Sequence, residues 1–161
     1  MKKIITIAVL LLTFICASAQ NGKSIYQKYS EVEGVSAVYI SPAMFRIMGK
    51  LPDLNVEGEN VNLAPVIKTL TGLYMINTGS GQVSAKMMKD VDRFISSGHY
   101  ELLMEAKESG EIMRMYTVGN DKVVNGFVML AAEADEVTFI CLDGQMPREQ
   151  FEQLLAKQME D

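Results

Sequence analysis

The sequence predicts an α+β domain, and three observations carry that prediction. From His99 to Leu142, four apolar runs alternate with turns rich in Gly, Asn and Asp, which is the mark of consecutive antiparallel strands. Upstream, segments with apolar residues at helical spacing surround two short runs suited to strands. After the last strand, Pro147 opens another amphipathic stretch. The expected architecture is a two-layer sandwich: a mixed sheet that ends in a four-stranded antiparallel meander, with the helices on one face.

The chain opens with Lys2 and Lys3, a nearly unbroken apolar run from Ile4 to Ile15, and the small-residue triplet Ala17-Ser18-Ala19. That order is the pattern of a secretory signal peptide cleaved after Ala19. The apolar run is too short to cross a membrane comfortably. Residues 1–19 are therefore read as a signal peptide and 20–161 as a single α+β domain, with no transmembrane segment in the mature chain. Ile15 ahead of Cys16 argues against lipidation of that cysteine, since lipidating peptidases prefer a small residue there. Export implies a periplasmic, outer-membrane-associated or secreted location. Loss of Lys2 and Lys3 leaves 13 of 15 basic residues against 20 acidic ones, moving the formal net charge from −5 to −7. So acidic a domain is poorly suited to nucleic acid or anionic lipid. Cys141 becomes the sole cysteine and has no internal disulfide partner.

Within the domain, Ile25, Tyr29 and Val32 mark a first helix over Ser24 to Glu33, closed by Gly34. Val35 to Ile40 follows as a strand. Ser41-Pro42 then starts a helix as N-cap and first-turn proline, with Met44, Phe45 and Met48 facing inward. Leu63 to Leu70 reads as a third short helix and Leu73 to Asn77 as the second strand. Helical segments after each of these strands permit them to lie parallel. Val83 to Ser97 is the clearest helix, with Val83, Met87, Met88, Val91, Phe94 and Ile95 on one stripe. The meander comprises Tyr100 to Lys107, Ile112 to Val118, Val123 to Ala131 and Val137 to Leu142. A tight turn pairing Glu108 with Glu111 sets Glu105 opposite Arg114 and Met104 opposite Met115. A loop over Gly119 to Lys122 pairs Val118 with Val123. The dry face then holds Leu102, Met104, Ala106, Met113, Met115, Thr117, Val124, Gly126 and Val128. The wet face holds Glu101, Glu105, Lys107, Arg114, Tyr116, Asn125 and Phe127. After Pro147, the final helix turns Phe151, Leu154, Leu155 and Met159 inward.

No constellation of catalytic residues stands out, and no cofactor motif is present. Asp53, Asn55, Glu57 and Glu59, with Gly58 at the sixth position, match the first half of a calcium-binding loop. The second half fails, because Ala64 stands where a bidentate Glu is needed. Paired thioethers such as Met113 and Met115 suit copper(I), yet methionines at core positions are ordinary packing residues. Cys141 lies in an apolar strand, where a thiol is buried and inert rather than paired with His99. Gly79-Ser80-Gly81 precedes a helix without the spacing of a phosphate loop. Glu133, Asp135 and Glu136 read as a solvated hairpin turn.

One pattern runs from Gly34-Val35 through Val38-Tyr39-Ile40-Ser41 into Met44-Phe45, and a second is Tyr100-Glu101-Leu102-Leu103-Met104 with Ser109-Gly110-Glu111. Met113-Arg114-Met115-Tyr116, Gly126-Phe127-Val128-Met129-Leu130 and the run from Phe139 to Gly144 follow. In these patterns the chain resembles a Bacteroidetes family of small exported domains of unknown function. The resemblance implies a signal peptide, one α+β domain and an envelope location, with no activity attached. Some relatives look lipidated, from which Ile15-Cys16 departs. The functional expectation is a non-enzymatic binding module whose partner is an envelope protein or small ligand, met through Arg114, Tyr116, Asn125 and Phe127. The alternatives are a hydrolase-like enzyme with an unrecognised site and a weak calcium binder.

Overall fold

The computed structural model describes residues 21–50 and 64–158. Along the chain run α1 (Lys23–Tyr29), β1 (Val35–Ile40), α2 (Pro42–Met48), α3 (Ala64–Ile67), β2 (Leu70–Thr78) and α4 (Gly81–Ser97). They are followed by β3 (Glu101–Glu108), β4 (Glu111–Gly119), β5 (Val123–Glu133), β6 (Glu136–Pro147) and α5 (Arg148–Gln158). The six strands form one sheet in the order β1-β2-β6-β5-β4-β3, and every neighbouring pair is antiparallel. The expected mixed sheet is therefore corrected. Ile40, at the end of β1, lies opposite Leu73, near the start of β2. The intervening residues bring the chain back at the same end of the sheet, and only a crossover along the strand length makes two strands parallel.

Local signals account for most of the elements. Ser41 caps α2, its hydroxyl accepting the Met44 N–H at 3.3 Å, with Pro42 at the first turn. The helix expected over Leu63 to Leu70 is confined to Ala64–Ile67, and the strand after it starts earlier than expected, at Leu70. β6 runs 12 residues, twice the expected span, because it hydrogen-bonds to β2 on one side and β5 on the other. α4, with 17 residues, supplies about 25 Å of helix. That length carries the chain from β2 across the sheet to β3 at the far edge.

The helices lie on both faces of the sheet, which corrects the expectation that they cover one. Alternation along β6 sends Val137, Phe139 and Cys141 into a core with Ile25 and Tyr29 of α1 and Met87, Val91, Phe94 and Ile95 of α4. Leu142 and Met146 point the other way, into a second core with Phe45 of α2, Val66 of α3 and Phe151 of α5. The first core defines the α4 face of the sheet and the second its α5 face. On the α4 face, the Tyr29 hydroxyl donates to Asp90 at 2.5 Å, and Lys28 pairs with the same carboxylate. Those bonds hold Asp90 below the ordinary carboxylate range and tie α1 to α4.

From its turn as far as Met104 the β3–β4 hairpin has the expected register, with Glu108 facing Glu111, Glu105 facing Arg114 and Met104 facing Met115; a bulge between Leu102 and Met104 then sets Leu102 opposite Tyr116 and Glu101 opposite Thr117, so these two exchange the faces expected of them. Ser109 (φ 47°) and Gly110 (φ 95°) form its two-residue turn, with both φ values positive as a tight hairpin demands. The β4–β5 register differs from the expected one. The Asn120 side chain accepts the N–H groups of Lys122 and Val123 at 2.9 and 3.0 Å, and its own N–H reaches Val123 O at 2.8 Å. The turn is thus centred one residue later, and a bulge leaves Asn125 unpaired between Val124 and Gly126. Together these shift the pairing by three residues, an odd number, so the faces of β5 exchange. Thr117 pairs with Phe127 and Tyr116 with Val128.

Phe127 consequently belongs to the interior. It is 8% exposed, with its ring centroid 5.4 Å from that of Phe151. Phe127→Ala is expected to cost about 3–5 kcal/mol in denaturant unfolding, the range for emptying a buried aromatic position. A loss under 1 kcal/mol would restore it to the surface.

Candidate functional site

The structure does not bring the four expected binding residues together. Arg114 and Tyr116 lie on the α4 face, Asn125 is the exposed bulge residue, and Phe127 is buried on the α5 face. Arg114 Nε bonds Glu105 Oε2 at 2.6 Å, and Lys107 reaches the same carboxylate at 2.7 Å. Asp53, Asn55, Glu57 and Glu59 lie outside the described residues. Cys141 is enclosed while His99 is exposed. At the start of α4, the Asp135 carboxylate stands against Gly81, where a Cβ would lie 2.7 Å from Oδ1. A negative charge there disfavours an anion at Gly79-Ser80-Gly81.

Two other features have the character of sites. The first is a closed polar cluster around Asp143, one residue past the strand expected over Val137 to Leu142. Asp143 follows Cys141 on the α4 face of β6, and its neighbours across the sheet are Gly72 on β2 and Gly126 on β5. Two flanking glycines leave room that Tyr74 and Tyr100 fill. The Tyr74 hydroxyl lies over Gly72 and the Tyr100 hydroxyl over Gly126, each within 2.8 Å of where a Cβ would stand. The Gly22 N–H donates to Asp143 Oδ2 at 3.1 Å, and the Cys141 thiol lies 3.5 Å from Oδ1. Gly22 itself is packed so closely that a Cβ would fall 2.5 Å from the Cys141 Cβ.

Burial dominates the electrostatics of this cluster. It raises the Asp143 pKa against the opposing effect of the Cys141 and Gly22 hydrogen bonds. It pushes Cys141 well above its ordinary value, with the Asp143 charge adding to the rise. Tyr100 is raised by burial, then by Cys141 and Asp143, and Tyr74 is pushed up to about 12 by burial and by Asp143. A thiol held protonated is a poor nucleophile. The arrangement therefore suits a latch that fastens the start of α1 to the centre of the sheet. Among the described residues no buried side-chain nitrogen or oxygen lacks a partner, as a closed latch requires.

The second feature is the half of the α5 face that the helices among the described residues leave only partly covered. α2 and α5 enter from the end of the sheet where Ile40 and Met146 lie, and their core with Phe45 and Phe151 occupies that end. Bordering it, one cross-strand row passes through all six strands, Val38, Met75, Ile140, Met129, Met115 and Met104, of which Met115 and Met129 pack against that core. Val38 is 47% exposed and the other five are half-buried. The next row includes Thr138, Ala131, Met113 and Ala106. These residues form the floor of a cavity of about 330 Å³ that Glu108, Glu111, Glu133 and Glu136 also line. Strand alternation puts all four glutamates on this face, with Glu108 opposite Glu111 and Glu133 opposite Glu136.

Fold and site together define an antiparallel α+β domain with an internal polar latch and a sheet that the described helices roof in part. Residues 29–154 match the family described as a domain of unknown function (DUF4252), and the chain belongs to that family. No curated protein and no solved structure matches it. No helix among the described residues is long and apolar enough to cross a membrane.

The Asp143 latch has a pH signature. Its pKa is raised on folding, so between about 3.9, the unfolded value, and the folded value the native state keeps a proton that the unfolded chain has lost. Stability from this group is complete below that window and declines as pH rises through it. Asp143→Asn is expected to remove this decline, seen as a difference between the two stability–pH curves. Parallel curves would contradict the assignment.

Proposed function

We propose that this chain is an exported, non-enzymatic binding domain of the cell envelope or the secreted fraction. It engages a protein partner through the open half of the α5 face. Lys2-Lys3, the Ile4-to-Ile15 run and Ala17-Ser18-Ala19 support export with cleavage after Ala19. The observation that carries the binding reading is the Val38–Met104 row, with Val38 exposed and the other five residues half-buried among the described residues. Contiguous apolar surface is costly to leave in water, and where it persists beside polar residues it marks an interaction site. Methionine suits that use, since its flexible thioether adapts to the shape of a partner. Arg114 is already engaged by Glu105 and Phe127 by Phe151, so the surface first expected there moves to the opposite side of β4.

Intact-mass analysis of the exported species is expected to show a chain starting at Gln20, and retention of residues 1–19 or a lipid on Cys16 would contradict export by this route. For the surface, a photoreactive benzoylphenylalanine replaces Met113, Met104 or, on the exposed side of α4, Lys89. A discrete cross-linked product in intact cells is expected from the first two positions and not from the third. Absence of any product at Met113, or equal products at all three, would sink the assignment.

A further inference from the structure

The four glutamates at the edge of the open half-face identify the charge of its occupant. Glu108 and Glu111 face one another across the β3–β4 hairpin, and Glu133 and Glu136 across the β5–β6 hairpin. β4 and β5 are themselves neighbours, with Ile112 opposite Ala132 one residue inward. The four carboxylates therefore make one line along the sheet end, bordering the apolar band of Met113, Ala131 and Thr138. Like charges placed directly opposite one another destabilise a sheet. Among the described residues none of the four forms an ion pair, and Glu136 has only a neutral donor, the Asn77 amide at 2.7 Å. The basic side chains of this region are spent on the other face, where Lys107 and Arg114 both hold Glu105.

An uncompensated row of negative charge beside an apolar band is the complement of one kind of ligand. We infer that the open half-face receives a cationic amphipathic helix from another protein, its apolar stripe on the methionine rows and its Lys or Arg side chains along the glutamate line. The dimensions agree. Six strands at about 4.8 Å spacing make a band roughly 24 Å long, which about sixteen helical residues span. An anionic lipid surface has the wrong sign for this edge, and so has an acidic peptide. This inference rests on the binding reading above and adds the chemistry of the partner.

The test uses residues 20–161 labelled with 13C at the methionine methyl groups. The probe is a synthetic sixteen-residue amphipathic peptide of Leu and Lys, and a peptide of the same pattern with Glu in place of Lys serves as control. The Leu/Lys peptide is expected to shift the methyl signals of Met104, Met113, Met115 and Met129. Met87 and Met146, which are fully buried, keep theirs. The variant with Glu108→Gln, Glu111→Gln, Glu133→Gln and Glu136→Gln is expected to bind about tenfold more weakly and with less salt dependence. These side chains are exposed, so the variant keeps its fold, which its methionine spectrum verifies. If the Leu/Glu peptide produces the same shifts with equal affinity, the charge inference fails and the binding surface stands. Unchanged affinity of the four-Gln variant, or equal binding to anionic vesicles, also overturns it. If neither peptide moves the four methyl signals, the inference and the binding surface fail together.

Discussion

Strand β6 is the constraint on which the rest of the molecule depends. It is hydrogen-bonded along both edges, and its side chains alternate between two separate cores. Val137, Phe139 and Cys141 fix where α1 and α4 dock, while Leu142 and Met146 do the same for the helices behind. Because strand periodicity is two, a one-residue slip of β6 would exchange both sets at once. The same alternation delivers Asp143 to the α4 face between two glycines, where the start of α1 is fastened.

The two faces are finished differently. On the α4 face, helices reach most of the central strands, and polar groups that end up inside are satisfied by one another. On the α5 face, the helices among the described residues enter from one end, and the Met75–Met104 row bordering their core is half-buried. An antiparallel sheet tolerates a solvated face when that face is polar. This one carries methionine, alanine and isoleucine, bordered by like charges that repel. Both departures cost stability.

Much of this was legible in the sequence. The β3–β4 register followed from Ser109-Gly110, because a two-residue turn leaves one way to pair Glu105 with Arg114. The Ser41-Pro42 helix start and the apolar stripe of α4 were equally local. What failed was non-local. Gly119-Asn120-Asp121-Lys122 permits more than one turn, and the Asn120 side chain chose the later one while Asn125 bulged. That odd shift moved Phe127 from the wet face to the core and parted it from Arg114 and Tyr116. Helices on both faces were hidden because the strand at Leu142 was expected to stop before Met146. Asp143 was missed for the same reason, although a carboxylate directly following the apolar Val137–Leu142 run was the available signal. The family assignment adds the domain's extent, residues 29–154, and leaves its role to the geometry.

The proposed surface requires that one half of the α5 face, which the described helices cover only in part, lies open in the folded domain. Peroxide oxidation followed residue by residue with mass spectrometry tests it most directly, because thioether oxidation tracks solvent access. Met44, 48% exposed, is expected to react first, Met104, Met113, Met115 and Met129 next, and the fully buried Met87 and Met146 last. Protection of Met113 and Met115 equal to that of Met87 and Met146 would show the face to be covered, and would contradict the account.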